Sequence, residues 1–248
     1  MMVRIAGNTQ QKIECFDFRP GRRLAGKYEV LLRLGRGWEG EVYKIREIDT
    51  DIERAAKIFF PERNIKNRTS AIYARKLHAL RDCPIVIQYH TQEVISCKGV
   101  QVTALISEYV EGELLADYIA RQSGNRLSLF QGIHLLHALI AGVESIHGLG
   151  EYHGDLHMEN VIVRRLGLSY ELKLLDMFNW GRATRQNRND DICDAIRIFY
   201  DAIGGSKHYS KHPKVIKQII CGLKRTLILK RFRTASALRV MLETTSWN

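Results

Sequence analysis

Hydrophobic positions follow two different periods along the chain. The first part holds short apolar segments rich in β-branched and aromatic residues, which predict strands, and one segment with apolar residues at helical spacing. We predict strands at 28–34, 41–46, 55–60, 84–95 and 100–107. We predict helices at 67–80, 127–147, 191–203 and 213–224. Strands followed by helices favour an α+β fold with two packed subdomains over alternating βαβ units.

The composition is that of a globular protein and gives no sign of a membrane span or a disulfide framework. With 248 residues, 45% hydrophobic and 26% charged, the chain can bury a sizeable core in one or two compact units. No apolar run approaches the roughly 20 residues of a membrane span, and the first residues lack the apolar stretch of a secretory signal. The five cysteines form no C-x-x-C pair, so we expect a reducing, cytoplasmic compartment. Secretion without a cleavable signal stays open.

The net charge of +11 is concentrated in one stretch near the end of the sequence. Between Lys207 and Arg239 there are ten Lys or Arg residues and no Asp or Glu. The simpler interpretation is a solvated helical surface, and the sharper one is a docking face for an acidic partner. No nucleic-acid-binding motif accompanies the charge.

A glycine-rich segment lies between the first two predicted strands. It runs from Gly35 through Gly37 and Gly40 to Val42. Glycines allow a tight turn to present backbone N–H groups to phosphate oxygens without a Cβ in the way. A β-like run follows the glycines, whereas a dinucleotide-binding unit would place a helix there. By itself the pattern fits a plain glycine-rich hairpin equally well.

A lysine follows in the next predicted strand. Lys57 stands among Ala55, Ala56 and Ile58. A lysine in a buried strand needs an anionic partner, and phosphate oxygens would serve. The alternative is a lysine at a sheet edge whose ammonium reaches solvent.

The strongest motif combines two carboxylates and a carboxamide. Asp155 and Asn160 fall in the segment His-Gly-Asp-Leu-His-Met-Glu-Asn, an apolar run follows, and Asp176 comes sixteen residues after Asn160. Asp155 can orient an acceptor hydroxyl and take its proton, while Asn160 and Asp176 can hold Mg²⁺ on phosphates. Two unrelated acidic turns would also give this pattern, but the order and spacing of all the motifs argue against that.

In this order the motifs resemble those of the protein-kinase superfamily, from about Lys27 to Leu242. The resemblance implies a two-lobed α+β kinase fold that binds ATP and Mg²⁺ and phosphorylates a protein. It also implies roles for individual residues. Gly35, Gly37, Gly40, Val42, Ala55 and Lys57 would line the nucleotide site, Ser107 would be the gatekeeper, and the backbones of Glu108 and Val110 would bind adenine. Asp155, Lys57 and Asn160 would be catalytic, and Asn160 with Asp176 would bind the metal.

The resemblance also sets expected domain boundaries. Residues 1–26 would be an N-terminal extension and 27–248 the kinase-like domain. Within that domain the N-lobe would cover 27–107, the hinge 108–112 and the C-lobe 113–248.

The sequence departs from the family pattern at several positions. No Glu lies between Glu62 and Glu93, so the helix glutamate that pairs with the strand lysine is absent, and Tyr73 or Ala74 stands there. Lys57 would then pair with Asp176 or with phosphate. Gly154 replaces the arginine that, in the family, binds the phosphate of a phosphorylated activation segment. The segment after Asp176 is also short. We therefore hypothesise that activity does not need activation-loop phosphorylation.

Three functions follow from these observations. The first is a minimal serine/threonine protein kinase. The second is a small-molecule kinase of the aminoglycoside or choline type, which the His-Gly-Asp-Leu-His wording also resembles. The third is a nucleotide-binding pseudokinase that acts as a binding module.

Overall fold

The computed structural model describes residues 13–167, 169–178 and 181–247. These residues form two compact units. The first unit comprises the described residues of Met1–Ala74 together with Tyr89–Tyr109, and the second comprises Arg75–Gln88 and the described residues of Val110–Asn248. The change from strands to helices along the sequence therefore corresponds to a change of unit.

The first unit is built on one antiparallel sheet of six strands in the order β1-β2-β3-β4-β6-β5. The strands are β1 (Arg23–Leu24), β2 (Tyr28–Arg36), β3 (Gly40–Glu47), β4 (Glu53–Phe59), β5 (Tyr89–Cys97) and β6 (Val100–Glu108). Alternating residues such as Tyr43 and Ile45 of β3 are fully buried, as expected for a sheet with one face on a core. Short 3₁₀ turns at Pro61–Arg63 and Ile65–Asn67 lead to helix α1 (Arg68–Ala79).

The segment before β1 belongs to the core of the first unit. Ile13, Phe16, Phe18 and Leu24 are all buried in the same cluster as the sheet residues. The Phe16 ring stacks on Phe60 with a centroid distance of 5.2 Å. Residues 13–24 therefore pack as part of the fold, whereas residues 1–12 of the expected extension lie outside the described residues. The domain boundary at residue 27 stays a prediction.

The chain passes to the second unit within α1 and returns to the first at β5. The strand predicted at 84–95 begins only at Tyr89. The residues before it pair in the second unit instead, where Ile85 O accepts a hydrogen bond of 2.7 Å from Leu174 N. Val86 forms a parallel bridge with the same Leu174. These bonds explain why Arg75–Gln88 separates from the sheet that precedes and follows it.

The second unit is mostly helical, with a small antiparallel sheet in the order β7-β8-β9. The strands are β7 (Glu113–Leu114), β8 (Val161–Leu166) and β9 (Ser169–Leu174). The helices are α2 (Leu115–Ala120), α3 (Leu129–Gly148), α4 (Arg185–Ala202), α5 (Gly205–Tyr209), α6 (Lys214–Ile220), α7 (Arg225–Arg231) and α8 (Ala235–Thr244). By length and composition alone, helix α3 is long and apolar enough to cross a membrane. It carries eight buried residues, as the core helix of a globular unit does.

Capping side chains fix where the helices of the second unit begin. Ser128 and Gln131 form a capping box that starts α3, and Thr184 and Asn187 form one that starts α4. Helix α4 therefore begins six residues before the predicted Asp191. Thr234 caps α8, because its hydroxyl oxygen accepts a hydrogen bond from Ala237 N at 3.1 Å.

Candidate active site

The glycine-rich segment forms a tight turn between β2 and β3. Gly37 N donates to Gly40 O at 2.9 Å, so this N–H closes the turn and is not directed at a phosphate. A Cβ on Gly40 would lie 1.9 Å from Ile58 O on β4, which makes this glycine a requirement of strand packing. Gly35 and Gly37 have no atom within 4 Å of a Cβ position. The turn thus leaves open space at two of the three glycines that the sequence assigns to nucleotide binding.

Lys57 has a carboxylate partner within the glycine-rich turn. Its Nζ lies 2.8 Å from Glu39 Oε2. The side chains are mostly buried, with 12% of Lys57 and 25% of Glu39 exposed. The sequence analysis did not predict this partner, because the family pattern places the glutamate that pairs with the lysine on the following helix. The signal was present as an acidic residue inside the turn itself.

Tyr73, one of the two residues that the sequence analysis aligns with the helix glutamate of the family, places its ring near Lys57. Tyr73 of α1 is buried, and its ring centroid lies 4.9 Å from Lys57 Nζ. The ring of Phe59 lies 5.5 Å from the same nitrogen. Ring faces attract cations, so Tyr73, Phe59 and Glu39 together surround the ammonium group inside the first unit.

The remaining nucleotide-site candidates of the first unit lie on three adjacent strands. Val42 of β3 pairs in register with Lys57 of β4. Ala55 of β4 pairs with Ser107 of β6, and Ser107 is buried. Glu108 ends β6, and the boundary between the units follows one residue later. Val110, the other expected adenine contact, is the first residue of this part of the second unit.

In the second unit a strand hairpin brings the metal-ligand candidates to one place. Val161 at the start of β8 pairs with Leu174 at the end of β9. Asn160 precedes this pair and Asp176 follows it, and Leu175 N donates to Asn160 O at 2.8 Å. The two predicted ligands therefore leave the hairpin at the same end.

A buried aspartate holds the loop that carries Asp155. The carboxylate of Asp191 on α4 is fully buried and accepts from His153 N at 2.8 Å and from Gly154 N at 2.9 Å. His147 Nε2 donates to it at 2.9 Å. Sequence analysis placed Asp191 at a helix start, and its anchoring of the loop became visible only in the structure.

His153 links this loop to the segment that contains Asp176. Its Nε2 donates to Leu175 O at 3.0 Å, and its Nδ1 accepts from Asp155 N at 3.3 Å. Complete burial lowers the pKa of His153 to about 4, because the imidazolium form would lose its hydration. His153 is therefore a neutral spacer that sets the distance between the two segments.

Asp155 lies at the exposed end of the loop, beside Asn160 and His157. Asn160 Nδ2 donates to the backbone oxygen of Asp155 at 2.9 Å and approaches its Oδ2 at 3.4 Å. The Nε2 atom of His157 lies 2.9 Å from the same amide nitrogen, so this ring nitrogen is the acceptor. The Asp155 side chain is 53% exposed. Hydrogen bonds thus hold the backbone of Asp155, while its carboxylate is exposed and accessible to an incoming hydroxyl.

Gly154 explains why the family arginine is missing from this loop. Its φ is +85°, a conformation that disfavours any side chain. A Cβ there would lie 2.8 Å from the Tyr152 ring and 3.0 Å from Phe178 O. The Tyr152 ring and the Phe178 carbonyl of the second unit therefore occupy the space that a side chain at residue 154 would need.

Asp176 has a left-handed backbone conformation with φ of +49°. Such conformations cost free energy in residues other than glycine and are retained where the surroundings impose them, often at functional sites. Here Leu175 N is bonded to Asn160 O, and Phe178 N donates to His153 O at 3.0 Å. The bonds on both sides fix the direction of the Asp176 backbone.

This donor set suits a magnesium ion that also binds phosphates. Mg²⁺ prefers oxygen ligands and keeps water or substrate phosphates in several positions, so one or two protein ligands are enough. Because Asn160 directs its Nδ2 to Asp155, its Oδ1 is the atom left for a cation, and Asp176 supplies carboxylate oxygens. Among the described residues no group of three or more His, Cys, Asp or Glu side chains forms a metal site. The arrangement thus fits a metal shared with a nucleotide.

The sequence profile of the protein kinase domain matches residues 28–220, which is more than half of the 248 residues. The chain therefore belongs to the protein kinase family. Solved structures agree: the kinase domain of Mycobacterium tuberculosis PknI has a TM-score of 0.66 with 18% identity, covering 91% of this chain and 98% of that one. At this identity the likeness shows the fold alone, and it confirms the predicted α+β, two-lobed kinase fold.

Curated relatives include protein kinases from plants. CBL-interacting serine/threonine-protein kinase 18 of Arabidopsis thaliana is 31% identical over 170 residues, which cover 68% of this chain and 31% of the relative. CBL-interacting protein kinase 1 of Oryza sativa subsp. japonica is 34% identical over 146 residues, which cover 58% of this chain and 30% of the relative. The chain thus spans about a third of the length of the curated relatives it matches.

Proposed function

We propose that this chain is a Mg²⁺- and ATP-dependent protein kinase that acts on serine or threonine hydroxyls. The observation that carries the proposal is the construction of the loop in the second unit. Asp155, Asn160 and Asp176 come from two segments that are tied together by backbone bonds and by the buried His153. A binding module without chemistry has no need for all three groups on such a framework.

Each residue has a distinct part in the proposed reaction. Asp155 accepts the proton of the acceptor hydroxyl as that oxygen forms a bond to the γ-phosphorus, in line with the β–γ bridging oxygen, whose bond to the γ-phosphorus breaks to release ADP. Asn160 keeps the Asp155 backbone in place through its amide N–H and presents its carbonyl oxygen to the metal. Bound Mg²⁺ would neutralise developing charge on the phosphates. Lys57 contributes positive charge for the α- and β-phosphates once it leaves Glu39.

Activity without phosphorylation of the activation segment is part of the proposal. Gly154 replaces the arginine that would bind such a phosphate. The Tyr152 ring and the Phe178 carbonyl occupy the space that an arginine side chain would need. Thr184, the threonine nearest the start of α4, uses its hydroxyl in the capping box with Asn187. Mass spectrometry of the active protein tests this part, and a phosphate that activity requires on Thr184 would contradict it.

We also propose that the basic stretch between Lys207 and Arg239 docks an acidic protein, either a substrate or an activator. Three of its cations are engaged: Lys217 with Ser210 O, Arg225 with Asp190 and Arg239 with Glu144. Seven others are exposed: Lys207, Lys211, Lys214, Lys224, Lys230, Arg231 and Arg233. Stimulation by acidic polypeptides that disappears at high salt would support docking, and no response to any polyanion would end it.

The decisive experiment is transfer of labelled phosphate from γ-labelled ATP with Mg²⁺, comparing the wild type with Asp176→Ala. We expect label on a generic protein acceptor that vanishes in the variant. Turnover on small-molecule acceptors alone would favour a small-molecule kinase. ATP binding without any transfer would favour the pseudokinase, and either result would overturn the proposal.

Replacing Glu39 tests how the nucleotide reaches Lys57. The ion pair at 2.8 Å occupies the ammonium that the phosphates need, so Glu39→Gln should tighten ATP binding. A partly buried pair worth about 1 kcal/mol corresponds to a gain of about fivefold in affinity. Titration with a fluorescent ATP analogue gives the dissociation constant. Glu53→Gln, which removes the Lys44–Glu53 pair of the same sheet, is the control and should change nothing. Weaker binding by Glu39→Gln would show that Glu39 supports Lys57 instead of competing for it.

A further inference from the structure

Lys76 is a buried cation for which the proposed reaction has no role. It lies on α1 with 6% of its surface exposed, and burial lowers its pKa to about 8. It is buried on the same helix as the apolar residues Tyr73 and Leu77. An uncompensated ammonium in such a place would be costly, so its contacts indicate what it does.

The Lys76 ammonium binds the chain just after Asp176. Its Nζ donates to Phe178 O at 2.6 Å and lies 3.8 Å from the centroid of the Tyr152 ring. The negative charges of Asp191 and Glu151 also favour the charged form. All these groups belong to the second unit. The ammonium therefore contacts a carbonyl and an aromatic face, and these contacts with the two nearby charges offset part of the cost of its burial.

Tyr152 extends the same connection further along the segment. Its side chain is fully buried, and its hydroxyl donates to Gly181 O at 3.0 Å. Two carbonyl groups after Asp176 are thus held by side chains, one by Lys76 and one by Tyr152. Phe178 is held on both of its backbone groups, since its carbonyl accepts from Lys76 and its N–H donates to His153 O at 3.0 Å.

We propose that Lys76 is a positioning residue that, with Tyr152, keeps Asp176 directed for metal binding without any covalent modification. In the kinases that this chain resembles, an arginine of the catalytic loop binds a phosphate on the activation segment. Here the cation comes from α1, binds a backbone carbonyl in place of a phosphate, and is present whenever the chain is folded. The inference rests on the proposed function and adds to it the means by which the segment is held.

The geometry gives a reason for a lysine at this position. The carbonyl of Phe178 and the ring of Tyr152 also fill the space around Gly154. A methionine would fit the apolar stripe of α1 equally well but could not bond the carbonyl. Because Asp176 has a strained left-handed φ of +49°, loss of one tether should let this backbone relax toward other conformations.

The test compares Lys76→Met with Arg75→Met in the full chain. Arg75 is the exposed neighbour on the same helix and serves as the matched control. Amide exchange of Phe178, followed by NMR without nucleotide or metal, should become at least about tenfold faster in Lys76→Met. Exchange of Ile140 in the core of α3 should stay unchanged, which shows that the fold is intact. Arg75→Met should match the wild type in both.

Kinetics supply a second readout. In Lys76→Met we expect kcat to fall at least about tenfold while KM for ATP stays within about twofold, because a tilted Asp176 affects the transition state more than ground-state binding. If Lys76→Met does not fold, Tyr152→Phe, which lacks only one hydroxyl, should shift both readouts in the same direction. Unchanged Phe178 exchange in the folded variants would overturn the inference. An inactive wild type would contradict the proposed function, whereas the exchange result would still decide the role of Lys76.

Discussion

Replacing Asp155 with asparagine should lower kcat by about a thousandfold and leave ATP affinity nearly unchanged. Proton transfer by a positioned side chain contributes about 10²- to 10⁴-fold to such reactions, and an amide cannot accept the proton. The loop should survive the change because its bonds use the backbone of Asp155. Asn160 Nδ2 donates to the Asp155 carbonyl at 2.9 Å, and Asp155 N donates to His153 at 3.3 Å.

Steady-state kinetics on a protein acceptor, with the nucleotide dissociation constant measured separately, would check this result. Glu159→Gln is a suitable control, since Glu159 is an exposed carboxylate four residues further along the same loop and should be dispensable. Wild-type turnover in Asp155→Asn would show that another group takes the proton. A parallel loss of ATP affinity would instead show that the loop itself had moved.

Replacing Asp191 with alanine should cost about 3–5 kcal/mol of the free energy of unfolding. The carboxylate is fully buried and accepts from the backbone N–H groups of His153 and Gly154. Without it, both N–H groups and the ring of His147 lose the acceptor that this buried carboxylate supplies. We also expect phosphotransfer to be lost, because this carboxylate anchors the loop that carries Asp155.

Urea denaturation at neutral pH would measure the change. Asp190→Ala is the matched control: Asp190 is the preceding residue on α4, and its ion pair with Arg225 is partly exposed on both sides. Surface pairs of this kind contribute about 0–1 kcal/mol. If the two variants unfolded at similar urea concentrations, the loop would be held mainly by its own turns and by His153.

The motifs with fixed spacing could be predicted from the sequence because each is local. The strand around Lys57, the loop from His153 to Asn160 and the position of Asp176 follow from short patterns with a chemical reason. The structure brings Asp155, Asn160 and Asp176 into one unit, joined by backbone bonds. Their roles in catalysis and metal binding stay predictions.

The partners that complete the site are distant in sequence, and no local pattern indicates them. Lys76 meets Phe178 across 102 positions, and Asp191 meets His153 across 38. The pair of Lys57 and Glu39 was missed for another reason, since the family pattern directed attention to the helix. A periodic pattern shows which face of an element is buried but not which polar group it meets there.

Polar composition also concealed part of the core. Residues before β1 carry many charged side chains, so the sequence suggested an extension. Phe16 and Phe18 nevertheless pack together with a centroid distance of 5.5 Å, and Phe18 N donates to the hydroxyl of Tyr43 at 3.1 Å. Ile13 and the two aromatic residues bring this charged segment into the fold, because each aromatic side chain buries a large apolar area.

The crowding at Gly154 limits how this kinase could change over evolutionary time. An arginine introduced there would meet the Tyr152 ring and the Phe178 carbonyl in a backbone conformation that disfavours any side chain. Control by phosphorylation would thus need more than one substitution, since the Tyr152 ring and the Phe178 carbonyl would both have to make room for the new side chain. Each change alone would weaken the segment that holds Asp176. On the proposed mechanism, regulation of this kinase would more readily evolve through protein abundance, location or a docking partner than through phosphorylation of this segment.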